Sequence, residues 1–270
     1  MRGSSRASAI AGSTALEAAL SAGTDRRTLA EELLAVTALI DSSATLRRAL
    51  ADPSREASGK QELAERLLSG KVSPETVVVV KALVGQRWAT ERDLSDTVER
   101  LGIEALLAGA EANGSIDRVE DELFRFERIV AGNPDLRDRL TNRQGDTQAK
   151  ASVVSQLLEG KASEETVRLA RQAVLAPRGR KLDRTLEGYL ALAATRREQV
   201  TAVVTAATDL TEQQRERLAA ALQNIYGKTI VLQVVRDEQV IGGIRVQVGD
   251  EVVDGTVLRR LDEARRHIAG

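Results

Sequence analysis

The chain repeats itself, and the repeat limits what it can fold into. LRRAL at Leu46–Leu50 returns as LRDRL at Leu136–Leu140, a displacement of 90 residues. At the same displacement Lys60 meets Lys150, and LLSGKVSPETV (Leu67–Val77) meets LLEGKASEETV (Leu157–Val167) with no gap. The match extends backward, where Glu32-Leu33 meets Glu122-Leu123 and Ala15-Leu16 meets Ala105-Leu106. Past Val167 the displacement falls to 88, aligning Leu94 with Leu182 and Thr97 with Thr185. A repeat this long is one helical domain present twice, not a short-period solenoid.

Two copies must share a fold, and that settles local ambiguities. Thr76-Val77-Val78-Val79-Val80 reads as a strand by β-branching alone. Its counterpart TVRLARQAVLA spaces Val167, Ala170, Val174 and Leu175 at helical intervals, so both stretches are predicted helices. Gly70 and Gly160 directly follow Leu-rich helices, where a left-handed residue ends a helix well. Six helices are expected in the first copy, near Ala9–Ala22, Asp25–Asp41, Ser43–Ala51, Ser58–Leu68, Pro74–Trp88 and Glu91–Leu107. The second copy spans about 101–199, so one linking helix, about Glu91–Ala112, would serve both. The expected domains are therefore 1–107, 101–199 and 200–270.

From Gln199 the period changes. Val200–Ala206 reads as a strand, and Thr211-Glu212-Gln213-Gln214 as a capping box opening a helix that stops at Gly227. Thr229–Val235 is a second strand. After Gly242-Gly243, the residues Ile244, Val246 and Val248 alternate with Arg245 and Gln247, the period of a half-buried strand. Gly249-Asp250 marks a turn, Val252-Val253 a short return segment, and Asp254-Gly255 a second turn in which Gly255 is expected at positive φ. A closing helix is expected from the stripe Val257, Leu258, Leu261, Ala264 and Ile268.

The order GGIRV, GDEVVDG and amphipathic helix resembles the C-terminal signature of the δ subunit of F-type ATP synthases, counterpart of the oligomycin-sensitivity-conferring protein. Gly242, Gly243, Gly249, Asp250, Asp254 and Gly255 all stand where that family's pattern has them, and Gln199–Val235 is also similar; Thr256 replaces the usual Ser. The resemblance implies a helical bundle followed by a small α+β C-terminal domain; with the repeat, the expected fold is mainly α, two tandem six-helix bundles followed by that domain, a departure from the family's usual single bundle that is similar to duplicated actinobacterial versions. It implies a non-catalytic stator component joining the α/β catalytic head to the b-subunit peripheral stalk. The expected partners are the N-terminal helices of the α subunit, taken up in apolar grooves of the bundle, and b subunits bound by the C-terminal domain. Because the second copy adjoins that domain, it is expected to keep the usual α site. The expected location is peripheral, on the cytoplasmic face of the bacterial plasma membrane.

Residue chemistry agrees with a protein that catalyses nothing. There are no cysteines, which excludes disulfides, zinc–thiolate sites and thiol catalysis, and His267 is the only histidine. Gly70-Lys71 and Gly160-Lys161 are not P-loops, because Glu65 and Ser155 stand where the first glycine is required. Asp250, Glu251 and Asp254 fit no EF-hand spacing and read as turn residues. Helical carboxylates interleave with arginines at the spacing of solvated faces, so no catalytic residue, cofactor or metal is expected. With 39 basic against 40 acidic residues and 2% aromatics, an RNA-binding helical-repeat adaptor, the competing reading, lacks both field and stacking platforms. The longest apolar run, Val77–Val84, is broken by Lys81, so no direct membrane insertion is expected. The leading MRGSSRASAIAG lacks the apolar core of a secretory signal.

Overall fold

A computed structural model describes residues 3–142, 144–237, 240, 242–248 and 251–255. The expected closing helix, His267, Gly249 and Asp250 lie outside the described residues. The chain divides into two compact units, residues 1–194 and 195–270. It is mainly helical, with a small C-terminal sheet.

The first unit begins with α1 (Gly3–Ser21), α2 (Arg26–Ser42), α3 (Ala44–Ala51), α4 (Ala57–Leu68), α5 (Pro74–Val84) and α6 (Glu91–Ala112). There follow α7 (Ile116–Gly132), α8 (Pro134–Thr141), α9 (Thr147–Leu158), α10 (Glu164–Leu175) and α11 (Leu182–Glu198). The valine-rich stretch is helix α5, as the repeat required, and Gly70 and Gly160 are left-handed at φ 73° and 66°. The linking helix α6 is continuous over 22 residues. Buried side chains from α1 to α11 form one continuous apolar cluster, from Leu16 through Leu33, Leu83 and Leu101 to Phe126, Leu169 and Leu186. Fully burying one such side chain contributes about 1.5–3 kcal/mol.

Two boundaries differ from expectation, each for a polar reason. Helix α5 stops at Val84, not Trp88. The buried indole of Trp88 donates to the Leu83 carbonyl at 2.9 Å, and the buried Lys60 ammonium donates to the Gln86 carbonyl at 2.8 Å, so side chains satisfy acceptors that a longer helix would have used. Helix α1 starts at Gly3, not Ala9. Its buried serines fasten it: Ser5 donates to Asp93 at 2.7 Å and accepts from the Ala89 N–H at 2.9 Å, and Ser8 donates to the Arg87 carbonyl at 2.5 Å.

The repeat recurs atom by atom at one cap. The Glu32 carboxylate accepts from the Ser73 N–H at 3.0 Å and from the hydroxyls of Ser73 and Thr76, both at 2.6 Å, at the start of α5. Glu122 does the same 90 residues later, accepting from Ser163 N–H and Oγ at 2.8 Å and from Thr166 Oγ1 at 2.7 Å at the start of α10. An anion at a helix N-terminus satisfies orphan donors and opposes the helix dipole. Burial raises the Glu122 pKa, but the bonds from Ser163, Thr166 and Arg118 outweigh it and bring it to about 2. Glu32 is lowered as well, against the same burial, by Ser73 and Thr76.

The second unit contains β1 (Gln199–Ala206), α12 (Glu212–Tyr226), β2 (Thr229–Arg236), β3 (Ile244–Val248) and β4 (Glu251–Asp254), in sheet order β2-β1-β3-β4. β1 pairs parallel with β2 across the α12 connection, and β3 and β4 add antiparallel. The capping box forms as read: Thr211 accepts from the Gln214 N–H and Gln214 reaches back to the Thr211 N–H, while Gly227 ends the helix at φ 65°. Leu218, Leu222 and Tyr226 of α12 pack with Ala202, Val204, Ile230, Val246 and Val248.

The signature glycines divide into two roles. Gly242 and Gly243 are left-handed at φ 81° and 80°, where side chains are strained. Gly255 is not left-handed, which corrects the expected turn. Its N–H continues the ladder to the Ile244 carbonyl at 2.9 Å, and a Cβ there would lie 3.2 Å from that oxygen, so close backbone approach is what glycine supplies. Asp254 stands opposite Arg245 in the β3–β4 register.

Two outcomes follow. Glu122→Ala should cost about 2 kcal/mol at pH 7, the scale of hydrogen bonds to a charged group. Because its folded pKa is depressed, that contribution is complete above about pH 4.5 and is lost as pH falls towards 2. Urea unfolding of wild type and variant should therefore converge between these limits. In the second unit, Gly243→Ala should cost about 1–3 kcal/mol from backbone strain, and Gly255→Ala less; thermal melts of the two variants compare them.

Candidate docking site

Helix α1 packs on α5 through Gly12, where a Cβ would come within 2.3 Å of Leu83 Cδ2 and 3.0 Å of Leu101 Cδ1. This close approach leaves a shallow outer face. On α1, Ala7, Ile10, Ala11, Thr14 and Ala18 follow one another at helical spacing, exposed or half-buried. On the neighbouring α5, Val78 is exposed beside half-buried Ala82 and Gly85. Ile10 is 62% and Val78 60% exposed, although both sit on helices that otherwise bury their aliphatic residues. A shallow apolar face between two helices suits the apolar side of a third.

The same positions in the second copy are occupied. The counterparts of Ala7, Ala11 and Ala18 are Thr97, Leu101 and Ala108 on α6, all buried. Ile10 becomes Arg100, which donates to Ser13 of α1 at 3.1 Å and also pairs with Glu104. Val78 becomes Arg168, which donates to both oxygens of Glu31 on α2, at 2.5 and 2.7 Å. The second copy thus spends on the first the face that the first leaves open. Gly102, the counterpart of Gly12, admits α2 instead: a Cβ there would lie 3.0 Å from Leu34 and 3.4 Å from the Ala30 carbonyl.

Three ion pairs join α2 to the second copy with one constant offset of 137 residues. Arg27–Glu164 at 2.6 Å is largely exposed and contributes little. Glu31–Arg168 is a fork, and Asp41–Arg178 completes the row. Arg178 is the centre. Its guanidinium is 5% exposed and donates to Asp41 at 2.5 and 3.2 Å, Ser95 at 2.6 Å, Asp96 at 2.8 Å and Glu99 at 2.7 Å. Arg180 holds the other oxygen of the buried Glu99 at 2.6 Å. Arg178 also has φ 51°, an uncommon conformation for a residue with a side chain, and Arg92 donates to its carbonyl. Burial raises the Asp96 pKa against the pull of Arg178, and burial lowers that of Arg178 less than its carboxylates raise it.

Sequence reasoning placed these carboxylates on solvated faces; Glu99, at 2% exposure, corrects that. The available signal was the break in the repeat. The displacement changes from 90 to 88 around Pro177-Arg178-Gly179-Arg180, where the second copy is two residues shorter than the first and its connection carries two arginines. Of the signature residues, Gly242, Gly243, Asp254 and Gly255 are gathered around the ends of β3 and β4. No described helix is long and apolar enough to cross a membrane.

A duplicated helical unit with an open helix-sized face and a small α+β unit defines a docking protein without catalytic machinery among the described residues. The family model of the ATP synthase delta (OSCP) subunit matches residues 103–268. The ATP synthase subunit delta of Kineococcus radiotolerans is 49% identical over 99% of this chain and 98% of its own length. Those of Streptomyces griseus and Streptomyces coelicolor are 48% and 45% identical, covering 91% and 100% of this chain and 91% and 98% of theirs. The chain belongs to the ATP synthase delta (OSCP) subunit family, and it is a non-catalytic stator component of ATP synthase. That membership disposes of the RNA-adaptor reading.

Arg178→Ala should destabilise the helical unit by about 3–5 kcal/mol, because it breaks the buried pair with Glu99, leaving only Arg180 on that carboxylate, and takes the cation from Asp41, Ser95 and Asp96. Urea titration followed by circular dichroism measures this; a cost below about 1 kcal/mol would mean the cluster is relaxed in solution.

Proposed function

We propose that this chain joins the α/β catalytic head to the b-subunit peripheral stalk, with an N-terminal helix of an α subunit lying on the α1–α5 face. The proposed frame is two tandem six-helix bundles, residues 1–107 and 101–199, sharing the linking helix 91–112, followed by a domain from 200 to 270 that binds b. The Gly242, Gly243, Gly249, Asp250, Asp254 and Gly255 signature shapes that last domain and contacts no substrate. The complex sits peripherally on the cytoplasmic face of the plasma membrane. A stator resists torque, so it needs binding at both ends and no chemistry of its own.

The supporting observation is the asymmetry of the copies. Ile10 and Val78 are open in the first copy, whereas Arg100 and Arg168 tie the second to its neighbour. This favours the first copy as the α site, opposite to the assignment that chain connectivity suggested. Adding an aspartate at both Ile10 and Val78 should weaken binding of an α N-terminal peptide by at least tenfold in calorimetry, roughly 1.4 kcal/mol or more. Unchanged binding by that variant, with loss instead on Phe124→Asp and Ile129→Asp of α7, would return the site to the second copy.

A further inference from the structure

The open α1–α5 face has two ends of opposite charge. Gly12 of α1 lies against Leu83, and the Ser8 hydroxyl donates to the Arg87 carbonyl at 2.5 Å. The Ser5 hydroxyl accepts from the Ala89 N–H at 2.9 Å. The start of α1 therefore stands beside the end of α5, the two helices run antiparallel, and Glu75 falls level with the last turn of α1. The charged residues of the two helices are Arg6 and Glu17 on α1 and Glu75 and Lys81 on α5. Lys81 is paired with Glu65 at 2.6 Å. Along the face, Ala7, Ile10, Ala11, Thr14, Val78 and Ala82 are uncharged and exposed or half-buried.

The end at the start of α1 is basic. Arg6 and Arg87 are exposed and in no ion pair among the described residues. Behind them the buried Lys60 ammonium sits on the Gln86 carbonyl at 2.8 Å. The acid at this end, Asp93, accepts from the Ser5 hydroxyl at 2.7 Å. The opposite end carries Glu75, in no ion pair among the described residues, with Glu17 a turn nearer the middle. Arg87 and Glu75 are roughly 18 Å apart by helical rise. The dipoles of α1 and α5 oppose one another, so these fixed charges set the field along the face. A third helix lying there carries partial positive charge at its N-terminus and partial negative charge at its C-terminus. The second copy does not repeat the basic end: the counterpart of Arg6 is Asp96, taken up by Arg178 at 2.8 Å.

We propose that Arg6, Arg87 and Glu75 fix the direction of the helix bound on this face, its C-terminal end at the two arginines and its N-terminal end at Glu75. The bound helix then runs antiparallel to α1. This rests on the reading of the α1–α5 face as the α site, and the test separates the two. Trp88 is the one tryptophan of the chain and adjoins Arg87, so it reports on the basic end. The full chain is titrated with a tryptophan-free α N-terminal peptide of about 20 residues, roughly 30 Å long as a helix, carrying dansyl at one end or the other. Energy transfer from Trp88 should be several-fold stronger to the C-terminal dansyl than to the N-terminal one. Arg6→Glu, Arg87→Glu and Glu75→Lys together should weaken binding several-fold at low salt and remove that preference. The weakening should fade as salt screens these charges. Stronger transfer to the N-terminal dansyl, equal transfer to both, or unchanged affinity and preference in the triple variant would overturn the proposal. Ile10→Asp with Val78→Asp should abolish transfer to either label. Where it does, a reversed preference overturns the direction alone. Where transfer persists in that variant, the face is not the α site and the proposal falls with that reading.

Discussion

Everything in the helical unit depends on α6 being buried on nearly all sides. Leu94, Val98, Leu101, Ile103, Ala105, Leu107 and Ala110 are all inaccessible, and they cannot share one face of a helix. Such a helix is stable only if neighbours cover it all round. The first copy supplies α2, α3 and α1, and the second supplies α7 and α10. Small residues set the distances, since Gly102 lets the α2 backbone approach where a side chain would hold it off. The polar end of the same helix, Ser95, Asp96 and Glu99, is then inside the protein and requires cations. Arg178 and Arg180 meet that requirement, and the backbone strain at Arg178 is held by the bonds its side chain makes.

This constraint leaves the two halves of the repeat with unequal outer faces. One member of the pair must give up its outer face to its neighbour, and arginines at 100 and 168 show which one did. The other keeps aliphatic residues at the same places in contact with solvent. Duplication therefore does not simply double a docking surface in a stator subunit of ATP synthase. It yields one open face and one internal joint.

Much of the fold was legible because the repeat supplied two sequences for one structure. The valine run of α5, the left-handed Gly70 and Gly160, and the continuous α6 all came from aligning 46 with 136 and reading the better-behaved copy. The capping box at Thr211 needed only local chemistry. What escaped was tertiary. Trp88 takes up the Leu83 carbonyl at the end of α5, and Lys60, from α4, takes up that of Gln86 just beyond it, and the local helical pattern does not announce either. Gly255 was assigned a turn conformation from its Asp-Gly context, whereas the structure uses it for close approach to Ile244. Glu99 and Arg178 looked like ordinary surface charges because burial of a helix on all sides is decided by the packing of α2 and α6 and not by the spacing within α6.

The most direct measurement is native-state hydrogen exchange of the full chain in increasing urea, resolved by helix. If α6 and the arginine cluster unite the copies, amides of α2 and α5 and those of α9 and α10 should become exposed in one cooperative step with the same opening free energy. Opening of α9 and α10 at markedly lower urea, with α2 and α5 still protected, would show that the copies are separate folding units and contradict the shared core.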